Sequence, residues 1–104
     1  MVLVAELTVI PAGGVQDTRR YVEAAVAKVR ASGLLFEVDA LGTTLQGELD
    51  DVLRVAREAH RAVLAAGAGR VFTEIRLDER AGQALTIARE TLRYRGLPLL
   101  RSAR

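Results

Sequence analysis

From Leu3 to Ile10 the chain alternates: Leu3, Ala5, Leu7 and Val9 make one apolar face, while Val4, Glu6, Thr8 and Ile10 make the other. A period of two predicts a strand with one buried side. Pro11-Ala12-Gly13-Gly14 ends it, and the period lengthens to that of a helix, with Val22, Ala25, Val26 and Val29 at core spacing. Asp17 or Thr18 can cap this helix, which runs to about Ser32, and Gly33 stands where a left-handed C-cap is expected. Alternation returns from Leu34 to Leu41, with Leu34, Phe36, Val38 and Ala40 on one face and Leu35, Glu37, Asp39 and Leu41 on the other. Gly42-Thr43 then predicts a two-residue turn into a strand from Thr44 to Glu48, pairing Ala40 with Leu45 and Asp39 with Gln46. A second helix follows from about Leu49 to Ala66, with Asp50 and Asp51 at its positive end and Leu49, Val52, Ala56, Ala59 and Val63 as its buried stripe. The fourth strand, Arg70 to Asp78, turns Val71, Thr73, Ile75 and Leu77 inward. A last amphipathic helix is expected over Gln83 to Tyr94, with Leu85, Ala88 and Leu92 on one side.

The order is βαββαβ plus a C-terminal helix. It predicts an α+β ferredoxin-like sandwich, a four-stranded antiparallel sheet with two helices on one face, as a single domain over residues 1–104. The second sheet face is then left open. Strand parity assigns to it Val4, Glu6, Thr8, Leu35, Glu37, Asp39, Thr44, Gln46, Phe72, Glu74 and Arg76, a set too apolar for a purely solvated surface and too charged for a core. Such a face suits a partner. Two readings follow: self-association with the charges as a rim, or a carboxylate-rich surface for a cationic or donor-rich ligand.

Composition narrows the choice. The 15 Lys and Arg against 13 Asp and Glu leave a net charge of only +2, which gives no basic field for nucleic acid or anionic lipid. There is no Cys, and His60 is the single histidine, so thiolate chemistry, iron–sulfur clusters and multi-histidine metal sites are excluded. The N-terminal residues lack the basic stretch of a signal peptide, and no apolar run reaches membrane-span length, so a cytoplasmic protein is expected.

The activities that this fold hosts elsewhere fail on residues. RNA-recognition domains stack bases on aromatics of the two central strands, and here those strands carry none. Gly13-Gly14-Val15-Gln16-Asp17 faintly resembles an acylphosphatase loop, but the chain has no Asn and places Asp17 where an anion would be repelled. Ser32 and Ser102 sit in no nucleophile motif. Glu37 and Glu74 could be drawn as a carboxylate pair, but an open sheet offers them no cleft. His60, at the margin of the second helix's apolar stripe, is read as a packed, hydrogen-bonded residue, and no enzymatic activity, metal or cofactor is expected.

Several stretches carry a resemblance: Ala5-Glu6-Leu7-Thr8-Val9-Ile10-Pro11, Ser32-Gly33-Leu34, Ala59-His60 and Ile75-Arg76-Leu77-Asp78-Glu79-Arg80. The most specific is Gly42-Thr43-Thr44-Leu45-Gln46-Gly47-Glu48. In this order they resemble the small ferredoxin-like thiamine-binding protein family over nearly the whole chain. The resemblance implies non-catalytic binding of thiamine or its hydroxymethylpyrimidine moiety by a homo-oligomer, a dimer or a tetramer. Leu41 and Gln46 depart from the methionine and glutamate common in relatives. The residues expected to bind are Glu6, Thr8, Glu37, Asp39, Thr43, Thr44, Gln46 and Glu74: carboxylates for the amino group or thiazolium charge, hydroxyls and amide for ring orientation. The rival reading is a structural or regulatory oligomerisation module without a ligand, which would lack a ligand-sized void between sheets or beside the hairpin.

Overall fold

The computed structural model describes residues 1–14, 17–39 and 41–92. Its elements are β1 (Leu3–Ala12), α1 (Arg19–Ala31), β2 (Leu35–Val38), β3 (Thr43–Gly47), α2 (Leu49–Ala65), β4 (Arg70–Asp78) and α3 (Ile87–Thr91). The strands form one antiparallel sheet in the order β2-β3-β1-β4, the ferredoxin-like arrangement expected from the element order. Apolar alternation sets its two faces. Leu3, Ala5, Leu7 and Leu45 are buried beneath Ala25 and Val29 of α1 and Val52, Val55, Ala59 and Val63 of α2.

Local chemistry accounts for the element ends. Thr18 is the N-cap residue of α1 without a side-chain cap, and Asp17 Oδ1, one residue earlier, accepts from the Arg19 amide at 3.0 Å. Gly33, at φ +79°, takes the left-handed turn that ends this helix. α2 begins with Asp50 and Asp51 in its first turn, where the helix dipole favours negative charge. His60 packs against β4, its Nδ1 sharing a 2.6 Å hydrogen bond with Thr73 Oγ1, in keeping with a structural histidine.

Leu49 of the expected buried stripe and Leu77 of the expected inward set are exposed at the ends of their elements, and four larger features also depart from expectation. First, β1 continues through Pro11 and Ala12, which pair with Val71 and Arg70 of β4. Proline is tolerated there because β3 pairs with β1 only as far as Leu7, and among the described residues no strand lies along that edge beyond it. Second, the β2–β3 register is offset by four residues from the expected one: Phe36, not Ala40, pairs with Leu45, and Leu35, not Asp39, pairs with Gln46. The cause is Asp39, whose Oδ1 accepts from the amides of Leu41 at 2.9 Å and Gly42 at 2.8 Å, while its own amide donates to the Gly42 carbonyl. This captured turn replaces the two-residue turn. The offset is even, so every side chain of β2 keeps its face.

Third, the C-terminal helix is only Ile87–Thr91. Thr86 is extended and its side chain accepts from the Arg89 amide at 3.1 Å, so the helix starts there and not at Gln83. Leu85 and Ile87 are buried, whereas Ala88 and Leu92 are exposed. Fourth, Val22 of α1 is exposed rather than core, because β2 is too short to reach beneath it. The expected end of this helix at Tyr94 lies outside the described residues.

Candidate functional site

The open face is a set of cross-strand rungs. One rung runs Glu37, Thr44, Glu6, Arg76 across all four strands, and the next pairs Thr8 with Glu74. Glu6 Oε1 lies 3.7 Å from Arg76 Nη1, a partly exposed pair with little energetic weight. At one end, Ile10 and Phe72 form an exposed apolar pair, and the Arg70 guanidinium sits over the Phe72 ring, 4.5 Å from its centroid. At the other end, the segment after β4 folds back. The Leu85 amide donates to the Val2 carbonyl, and the Ile87 amide donates to Gln46 Oε1 at 2.9 Å.

The eight expected binding residues therefore separate. Glu6, Glu37, Thr44 and Glu74 share the open face, as strand parity requires. Gln46 also points there, but its carbonyl oxygen holds the chain's own backbone at Ile87. Asp39 leaves the sheet surface for the turn. Thr43 pairs with Leu7 and Val38, the parity of the helix-covered face, and is 7% exposed. Thr8, at the boundary, donates from its hydroxyl to the Leu41 carbonyl at 3.4 Å.

Thr8, Asp39 and Thr43 meet at a second place, a cleft of about 340 Å³ beside the β2–β3 turn. Its origin is geometric. β2 stops at Val38 and β3 begins at Thr43, while β1 and α1 run on past them, so among the described residues no layer fills the space between helix and strand. The floor is Leu7 to Pro11 of β1, the roof is Val22, Val26 and Val29 of α1, and the turn closes one side with Leu41 and Gly42. Gly42 is required by close approach: a Cβ there would lie 2.9 Å from the Leu7 carbonyl oxygen and 3.0 Å from Thr8 Oγ1. The lining is mostly aliphatic, with Thr8, Thr18, Asp39 and Thr43 as its polar members. An apolar cleft with a few convergent polar groups and a volume in the range of about 300–1,000 Å³ has the character of a small-molecule site.

The aliphatic roof was invisible as a site feature in sequence, because Val22 and Val26 carry the same spacing as core residues. Among the described residues, no group of three His, Asp or Glu side chains could hold a metal ion. Nor is any helix among them long and apolar enough to cross a membrane.

Fold and cleft together define a small α+β protein of the ferredoxin-like class with an apolar cleft between its first strand and first helix. The chain belongs to the thiamine-binding protein family, whose model matches residues 5–95. An uncharacterised protein of Methanothermobacter thermautotrophicus is 40% identical over 80 residues, 75% of this chain and 81% of that protein. A domain of unknown function from Bacillus cereus has a solved structure that superposes with a TM-score of 0.86 at 34% identity, covering 92% of each chain. A Thermotoga maritima protein described as a putative thiamine biosynthesis/salvage protein shares the fold at 24% identity, with a TM-score of 0.82 over 91% of this chain and all of that one.

Proposed function

We propose that this protein binds thiamine or a related hydroxymethylpyrimidine without catalysing a reaction, and that the cleft between β1 and α1 is the site. The carrying observation is the cleft itself, a ligand-sized apolar space beside the hairpin, which a pure packing module would have no cause to keep. Its aliphatic walls suit the flat faces of a pyrimidine, and the Asp39 carboxylate among its lining residues suits a thiazolium cation. Family membership supports the choice of ligand. The test is calorimetric titration with thiamine, thiamine phosphates and hydroxymethylpyrimidine. Saturable binding at a fixed ratio per chain is expected. Absence of both heat and thermal stabilisation at millimolar ligand would overturn the reading.

The open face supports a second role, self-association to a dimer or tetramer, carried by the exposed Ile10–Phe72 pair and by the oppositely charged ends of one rung. A two-fold axis along the strands sets Glu37 of one copy over Arg76 of the other. Sedimentation equilibrium is expected to give a Phe72-dependent oligomer. A monomer at all accessible concentrations would refute this.

A further inference from the structure

We infer that the pyrimidine is recognised by the main chain of Val9, the unpaired edge of β1 supplying the donor and acceptor that the aliphatic cleft lacks. The inference rests on the cleft reading above and adds the atoms that would read the ligand.

β4 pairs with β1 through Ala12, whereas β3 pairs with it only through Leu7. Among the described residues no strand follows β1 on the β3 side beyond that point. The orientation of the edge is fixed by Gly42. A Cβ at that residue would sit 2.9 Å from the Leu7 carbonyl oxygen, so this carbonyl points toward β3 and the turn. In an antiparallel ladder, alternate residues direct both N–H and C=O to the same neighbour. Leu7, Val9 and Pro11 therefore address the β3 side, and Thr8 and Ile10 address β4.

Beyond Leu7, this edge offers one complete pair of groups, the Val9 N–H and C=O, followed by Pro11, which has a carbonyl and no N–H. The cleft runs along the same stretch, since Leu7, Thr8, Val9, Ile10 and Pro11 all line it. Pro11 also denies a further donor to any strand that might extend the sheet there. What remains is a short backbone edge that accepts a flat ligand better than a peptide.

The N–H and C=O of one extended residue lie side by side, donor beside acceptor. A 4-aminopyrimidine presents the complement along one edge: a ring nitrogen that accepts, and an exocyclic amine that donates. The Val9 N–H donates to the ring nitrogen, and the amine donates to the Val9 carbonyl. An analogue whose amine is replaced by oxygen turns its ring nitrogen into a donor and its substituent into an acceptor. It then sets donor against donor and acceptor against acceptor. Buried polar groups left facing their like make such a site strongly selective.

The experiment is residue-resolved amide hydrogen exchange with and without saturating thiamine, joined to titrations with thiamine and with oxythiamine, its 4-oxo analogue. Thiamine is expected to slow exchange at Val9 at least tenfold and to leave Ile10, already paired with β4, nearly unchanged. Oxythiamine is expected to bind more than tenfold more weakly. Val9→Pro removes the donor and sets ring methylenes in its place, on an edge that already accommodates Pro11, and should abolish thiamine binding, whereas Val9→Ala, which changes the side chain and keeps the N–H, should retain it. If thiamine binds but Val9 exchange is unaltered, or oxythiamine binds equally well, main-chain recognition is refuted while the thiamine reading stands. If thiamine does not bind the parent protein, the thiamine reading falls, and this inference falls with it. Should Val9→Pro fail to fold, the exchange and oxythiamine measurements decide alone.

Discussion

Gly42→Ala is the most informative single perturbation, because it replaces one hydrogen by a methyl group at the point where the β2–β3 turn meets β1. The φ angle of Gly42 is not in the left-handed region, so alanine meets no backbone penalty and the whole effect is steric. The added Cβ would stand 2.9 Å from the Leu7 carbonyl oxygen, against about 3.4 Å for ordinary contact, so turn and strand must separate by roughly half an ångström. One obstacle is backbone in the middle of the sheet and cannot swing aside. Overpacking of this kind costs about 1–3 kcal/mol. In a domain of this size that corresponds to a fall in Tm of roughly 4–20 °C. The same separation disturbs the hydroxyl contact of Thr8 with Leu41 and reshapes one wall of the cleft, so thiamine affinity should fall along with stability. Scanning calorimetry and isothermal titration on one preparation measure both. Gly82→Ala serves as the reference, since its Cβ meets nothing within 4 Å although φ is +80°. It should lose about 1–2 kcal/mol to backbone strain without loss of binding. A Gly42→Ala protein that melts and binds like the parent would show that turn and strand do not touch as described.

Other substitutions separate the roles of the two surfaces. Val26→Phe places a ring in the cleft roof and should weaken thiamine binding more than tenfold, while Glu74→Ala, on the open face, should leave affinity unchanged in the same titration. The reverse pattern would move the site to the open face. Gln46→Ala removes the acceptor of the Ile87 amide and should cost about 1–3 kcal/mol, with faster hydrogen exchange at Ile87 as its local signature. Leu45→Ala empties a fully buried position between sheet and helices and should cost about 2–5 kcal/mol in urea denaturation, far more than His60→Ala, which forfeits one hydrogen bond to Thr73.

Much of this architecture was legible in the sequence because it depends on period. A strand that alternates cleanly declares its faces before its neighbours are known, and Glu6, Glu37, Thr44 and Glu74 reached one surface on parity alone. What parity does not contain is register. The pairing of β2 with β3 was set by one side chain, Asp39, binding the amides two and three residues ahead. The signal was present, since aspartate followed three residues later by glycine is turn chemistry. Reading it would have moved Thr43 from the turn into the strand, on the side of Leu45. No local signal foretells that Gln46 holds the backbone 41 residues away, because that contact exists only once the segment after β4 has folded back. The cleft escaped for a related reason: it is a difference between element lengths, and each length is fixed by a separate terminator.

The four-residue offset of the hairpin bears on how related chains can vary in length. Gaining or losing two residues at this turn would slide β2 along β3 and leave Phe36 facing the helices and Glu37 facing outward. Gaining or losing one would invert the strand, driving a carboxylate toward the aliphatic interior and a phenyl ring into water. Relatives that keep this sheet should therefore differ at the turn by even numbers, and an odd change should come with a bulge that restores the count.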